Sequence, residues 1–168
     1  MPKAQEFLDA DQVIKASLNA LGEAIDSIHS PLPPAFARAI QAERNLHLQI
    51  DAEFGLLTST EAGLRMGSRS RTPRNLASSA RLAGRLLAIV RGNSAYYPAF
   101  QFGSDGQPLL VVKQLRKLAQ DSHWSERGVI EWLMSPTTYL NDQRPVDRLA
   151  SDPKSVIEAA ELAWNASW

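Results

Sequence analysis

Seven arginines, Arg65, Arg69, Arg71, Arg74, Arg81, Arg85 and Arg91, fall between residues 62 and 104, a window with no Asp, Glu or Lys. The 168-residue chain has formal charge zero. Residues 1–61 carry four basic and nine acidic side chains, and residues 105–168 carry seven and nine. A basic centre therefore lies between acidic flanks. Guanidinium groups are permanent cations whose planar fork of donors matches phosphate oxygens. With no acids close in sequence to pair with, arginines at this density repel one another unless a polyanion neutralises them. The chemistry this implies is binding to nucleic acid.

Other chemistry is hard to find. The histidines His29, His47 and His123 lie far apart, and none has a partner at metal-ligand spacing, so each reads as structural or exposed. Cysteine is absent, which excludes disulfides, thiolate metal sites and a cysteine nucleophile. There is no GxSxG, Gly-rich phosphate loop or HExxH. Asp147 and Asp152 stand at expected helix starts and read as caps rather than as a catalytic pair. No enzyme activity, cofactor or metal is expected. The N-terminus MPKAQEFLDADQ lacks the apolar core of a signal peptide. No run approaches the ~20 apolar residues needed to cross a bilayer, so a cytoplasmic protein without membrane contact is expected.

The elements that must position the arginines can be read locally. Thr58-Ser59-Thr60-Glu61 matches a capping box, opening a short helix with Ala62, Leu64 and Met66 that ends at Gly67. A polar connector, Ser68 to Arg71, leads to Thr72 as N-cap and Pro73 at the first helical position. A second helix then covers Arg74 to Ala83, with Leu76, Ala80 and Ala83 inward and Gly84 closing it. Two short helices joined by a turn form the plan of a helix-turn-helix reader. Leu86–Arg91 and Ala95–Phe102 read as strands of a wing hairpin around Gly92-Asn93. Pro98, which has no N–H, marks the second strand as an edge or a bulge. On this plan Arg69, Arg71, Arg74, Asn75, Ser78, Ser79 and Arg81 face DNA. Arg74 and Asn75, in the first turn, are best placed for base edges, and Arg91 and Asn93 on the wing for phosphate.

The flanks read as helical. Ile14, Leu18, Leu21, Ile25 and Ile28 form a narrow seam over residues 11–28, which packs either within the chain or against a second copy as a homodimer. After the rigid PLPP connector, a helix runs from Pro33 or Pro34 to about Phe54, and Gly55 stops it. Beyond the hairpin come Pro108–Gln120, with Leu110, Val111, Leu115 and Leu118 on one side, and a Ser125-capped helix through Met134. A loop over Thr137–Gln143 follows, then a short helix from Pro145 to Leu149. Asp152 caps a last helix from Pro153 to about Ala166. Trp132 falls on a core face, and the terminal Trp168 is either docked or offered to a partner. The fold class is mostly α, with a helix-turn-helix and small hairpin between helical flanks, in segments 1–54, 55–106 and 107–168.

The segment from Trp132 to Ala160, WLMSPTTYLNDQRPVDRLASDPKSVIEAA, resembles the toxin-binding C-terminal domain of the MbcA/ParS/Xre antitoxins. Trp132, Leu133, Pro136, Leu140, Pro145, Asp147 and Leu149 carry the match. Asp142 stands near a common Gly, and Arg148 replaces an apolar residue. The stretch from Leu57 through Pro98-Ala99-Phe100-Gln101-Phe102 resembles the DNA-binding half of relatives of these antitoxins. The resemblance implies a type II antitoxin that neutralises a cognate toxin, often of the NAD-consuming RES-domain class, and represses its own operon by binding operator DNA. It further implies toxin contacts from the loop and tail: Thr137, Thr138, Tyr139, Asn141, Asp142, Arg144, Trp164 and Trp168. The alternatives are a DNA-binding regulator without a toxin, or an adaptor whose arginines meet an acidic protein surface.

Overall fold

The computed structural model describes residues 34–165. The expected helix over 11–28, its dimer seam, the start of the PLPP connector, His29 and Trp168 lie outside the described residues. The chain divides into two compact units, residues 1–41 and 42–168. Neither expected boundary, 54/55 or 106/107, coincides with that division. Everything from Ala42 onward builds one unit.

The described residues are mostly helical with a small antiparallel sheet. In order come α1 (Pro34–Glu53), β1 (Leu56–Thr58), α2 (Ser59–Arg65), α3 (Arg74–Leu82), β2 (Ile89–Arg91) and β3 (Ser94–Pro98). They are followed by α4 (Leu110–Asp121), α5 (Glu126–Met134), α6 (Pro145–Arg148) and α7 (Pro153–Trp164). The local signals act as expected. The Thr58 hydroxyl accepts from the Glu61 amide at 3.2 Å, and the Glu61 carboxylate accepts from the Thr58 amide at 2.7 Å. That backbone bond, followed by the Thr58 hydroxyl, holds the Glu61 carboxyl below its usual pKa. Ser125 caps α5 through the Gly128 amide, and Asp152 caps α7 through the Ser155 amide.

The sheet differs from the expected hairpin. β1 joins it, giving the order β1-β3-β2, so β3 is the central strand and not an edge. Pro98 is tolerated there because of alternation. The Ala99 amide donates to Gly55 on the β1 side, so the nitrogen of Pro98 faces the β2 side, where pairing has already ended at Ile89–Tyr96. The expected strand through Phe102 stops at Pro98, and Ala99–Gln101 turn into a 3₁₀ segment. Gln101 explains that turn. Fully buried, it donates from Nε2 to the carbonyls of Leu87 and Pro98, both at 2.9 Å, and accepts the Leu87 amide at 2.6 Å. One amide side chain thereby satisfies the buried backbone leading into β2.

Two hydrophobic clusters fill the unit. The larger gathers Ile50 from α1, Val111, Val112, Leu115 and Ala119 from α4, and Ile130, Leu133, Val156 and Trp164 from α5 and α7. Leu110, expected inward, is 83% exposed, because Val112 and Ala119 set the buried face of α4. The smaller cluster lies under α2 and α3 and is built of Ala62, Met66, Ala77, Ala80, Leu86, Ala88, Tyr97 and Phe102. On α3 it is Ala77 that joins Ala80 inside; Leu76 is half-buried and Ala83 exposed. No helix among the described residues is long and apolar enough to cross a membrane.

Candidate nucleic-acid interface

The approach of α2 to α3 is set by one glycine. A Cβ at Gly63 would collide with the Pro73 carbonyl, so the two helices meet backbone against side-chain-free backbone. Between them the connector is knit by its own hydroxyls. Ser68 Oγ accepts the Ser70 amide at 3.4 Å, and Ser70 Oγ accepts the Thr72 amide at 3.1 Å. With the hydroxyls occupied by backbone, Arg69 and Arg71 stand exposed between them. Pro73 is already helical at φ −56° and ψ −32°, which leaves Thr72 at the cap. The Thr72 hydroxyl takes the Asn75 side-chain amide at 3.2 Å rather than a backbone amide.

Ala77 and Ala80 face inward, so α3 turns Arg74, Asn75, Ser78, Ser79 and Leu82 to solvent. Among the described residues Arg69, Arg71 and Arg74 make no ion pair. Arg74 also borders a polar cleft of 290 Å³ with Thr58, Thr60, Asn93 and Ser94, which places the hairpin turn beside the start of α3.

Two arginines are used otherwise. Arg81 does not face out: its Nε and a terminal nitrogen donate to Glu126 at 3.2 and 2.8 Å. The bond that Arg81 donates to Glu126 raises the guanidinium pKa, and only part of the side chain is exposed. The acid that answers this arginine lies 45 residues downstream. Glu126 also accepts the Ala88 amide at 2.8 Å and pairs with Arg116 at 3.1 Å, so one carboxylate ties α3, the approach to β2, α4 and α5 together. Arg91 donates from Nε to Nδ1 of His47 at 3.1 Å and lies 5.7 Å from the Tyr96 ring centre. Burial, and then the Arg91 charge, lower the pKa of His47, while Glu43 opposes them. The neutral ring can therefore accept. Arg65 lies over Phe102 at 5.3 Å.

The C-terminal candidates also separate. Thr138, Tyr139, Asn141 and Asp142 are exposed, Thr137 is half-buried, and Leu140 plugs the loop into the core. Asn141 and Asp142 adopt φ of 55° and 60°, a left-handed conformation that Asn and Asp tolerate better than other non-glycine residues. Arg144 is a clamp and not a free contact. It grips Asp147 with two bonds of 2.9 and 2.8 Å, and Glu53 with two of 3.2 and 2.8 Å. Trp164, expected to face a partner, is only 6% exposed. It stacks on Trp124 and meets Trp132 edge-on, each at 5.1 Å.

Sequence reading missed Lys113, Arg116 and Lys117. The net negative charge of the last third hides them, yet the fold sets them beside Leu82–Gly84 at the end of α3. Among the described residues no group of three His, Asp or Glu side chains is placed to hold a metal.

The chain is similar to the NMR structure of Rv2175c. The two superpose with a TM-score of 0.57 at 20% identity, over 66% of this chain and 82% of that one. At that identity the likeness is one of fold. No protein-family model matches the chain, and no curated protein sequence does.

Proposed function

We propose that the protein is a DNA-binding regulator of the winged helix-turn-helix kind, with α3 as the reading helix and β2–β3 as the wing. The observation that carries this is the trio Arg69, Arg71 and Arg74: exposed, unpaired among the described residues, and gathered at the start of a helix whose outer face continues with Asn75, Ser78 and Ser79 before Leu82 ends it. Arg74 and Asn75 reach base edges, Arg69 and Arg71 contact flanking phosphates, and Asn93 at the hairpin turn touches the backbone. Arg81 and Arg91 hold the reading helix and wing in place through Glu126 and His47.

The antitoxin reading adds a second half. In it the protein is a non-enzymatic type II antitoxin that acts as a dimer, represses its own operon and binds a cognate toxin through the loop after α5. What supports it is the resemblance over Trp132–Ala160 and the way the matched residues are used. Trp132, Leu133, Leu140, Pro145 and Leu149 are buried and Asp147 grips Arg144, so they frame a loop whose exposed residues, Thr138, Tyr139, Asn141 and Asp142, are left for contact.

The experiment is a salt titration of binding to the duplex upstream of the protein's own gene, followed by fluorescence anisotropy. The affinity should fall by about 0.9 log units per log unit of salt for each phosphate neutralised. Replacing Arg69, Arg71 and Arg74 with Ala should abolish binding while the circular dichroism stays native. A flat salt response, or full affinity in that variant, would overturn the reading. Tyr139→Ala with Asp142→Ala should abolish toxin neutralisation and leave DNA binding intact.

A further inference from the structure

The end of α3 and the outer face of α4 enclose a groove of 630 Å³ that the DNA reading does not use. Its cations are Lys113, Arg116 and Lys117, and Leu82 and Trp124 form its apolar part. Among the described residues the one carboxylate lining it, Glu126, is already engaged by Arg81 and Arg116. Lys113 and Lys117 make no ion pair among the described residues. The apolar side chains are unusually bare: Leu82 is 90% exposed and Trp124 37%, and Leu110, one turn before Lys113 on the same face of α4, is 83% exposed. Exposed large apolar groups beside unpaired cations mark an interaction surface.

We propose that this groove binds an acidic amphipathic helix of a partner protein. Lys113 and Lys117 stand four residues apart on α4, so their Cβ atoms are about 6 Å apart. Glutamates four apart on a docked helix present the same spacing, and leucines on its adjoining face meet Leu82, Leu110 and Trp124. Nucleic acid is the weaker occupant, because a phosphate backbone gains nothing from covering exposed leucines. The surface is separate from the Arg69–Arg74 face and from the loop after α5, so it stands or falls independently of both.

The test uses the full-length protein and a fluorescein-labelled helical peptide of glutamate and leucine, with leucines at i, i+3, i+4 and i+7. A scrambled peptide of equal composition and a duplex DNA serve as comparators. The patterned peptide should bind, and Lys113→Glu with Lys117→Glu should weaken it at least about tenfold. Leu82→Asn should weaken it severalfold with the charge unchanged. These side chains are exposed, so the variants should melt like the parent protein. The proposal is overturned if the patterned peptide does not bind or the scrambled peptide binds equally well. It is also overturned if Leu82→Asn has no effect, or if the double variant loses more affinity for duplex DNA than for peptide, which would make the groove a phosphate-binding surface.

Discussion

The region around α2 and α3 and the region of α4, α5 and α7 are held together by opposite means. The side chains that α2 and α3 themselves bury are alanines, Ala62, Ala77 and Ala80, and the helices approach at a glycine whose Cβ would strike the Pro73 carbonyl. In the C-terminal helices the interior is made of Leu115, Ile130, Leu133, Val156, Trp132 and Trp164, with Trp164 in ring contact with both Trp132 and the half-exposed Trp124. Burial contributes about 0.8 kcal/mol per methylene, so these alanine faces stabilise little by area. The α2–α3 pair gains a thin profile and a free outer face, and draws its stability from the larger core through Gln101 and Glu126. The C-terminal helices, packed on bulky groups, can carry an exposed loop with two left-handed residues.

If that contrast is right, Trp164→Ala should be the most damaging change. It removes the middle ring of the indole cluster and should cost about 4 kcal/mol in denaturant unfolding; a loss below about 1 kcal/mol would show that the large core does not depend on it. Gly63→Ala comes next, at about 3 kcal/mol, because the added methyl must force α2 from the Pro73 backbone. On the proposed reading it should also weaken DNA binding, by tilting α3, more than it weakens any contact of the distant loop after α5. Glu126→Gln tests the tether. The side-chain amide still has a carbonyl to accept the Ala88 N–H, but the charge pairing of Arg81 and Arg116 is lost. With those arginines partly exposed, the cost should be about 1 kcal/mol. Non-specific DNA affinity should rise as Arg81 is released, and unchanged affinity would place Arg81 away from the duplex.

The smallest effect is a pH dependence at the β2–β3 hairpin. His47 is held neutral below its usual pKa, by burial and then by Arg91. The unfolded chain binds a proton there that the folded chain resists, so stability should fall as pH drops from about 7 to about 5, below the ordinary histidine value. Thermal melts across that window should show the slope, and His47→Gln should remove this contribution. A wild-type melt equally stable at both ends would contradict it.

Much of the local structure was legible because its causes span a few residues. The Thr58–Glu61 capping box, Ser125, Asp152, Pro145 and the stops after Gly55 and Gly67 act through bonds between positions one turn apart. They fix where helices begin and end whatever surrounds them. The arginine window was legible for the same reason: exposed charge on Arg69, Arg71 and Arg74 needs no tertiary partner. Leu110 was misread because α4 carries more apolar residues than its buried face can use, and periodicity alone does not choose among them.

The other outcomes depended on residues distant in sequence. β1 is three residues long and exists only because it pairs with β3 some 40 positions later, which also turned a supposed edge strand into the centre of the sheet. Arg81 meets Glu126 across 45 residues and Arg144 meets Glu53 across 91. The charge window thus counted Arg81, and the resemblance counted Arg144, as binding residues that the fold uses as clamps. Trp164 became a core residue when Trp124 and Trp132 arrived from another helix and its approach. The sequence alone determined the helix ends and the charge of the window. Tertiary structure decided which charges remain free, because pairing depends on distance in space.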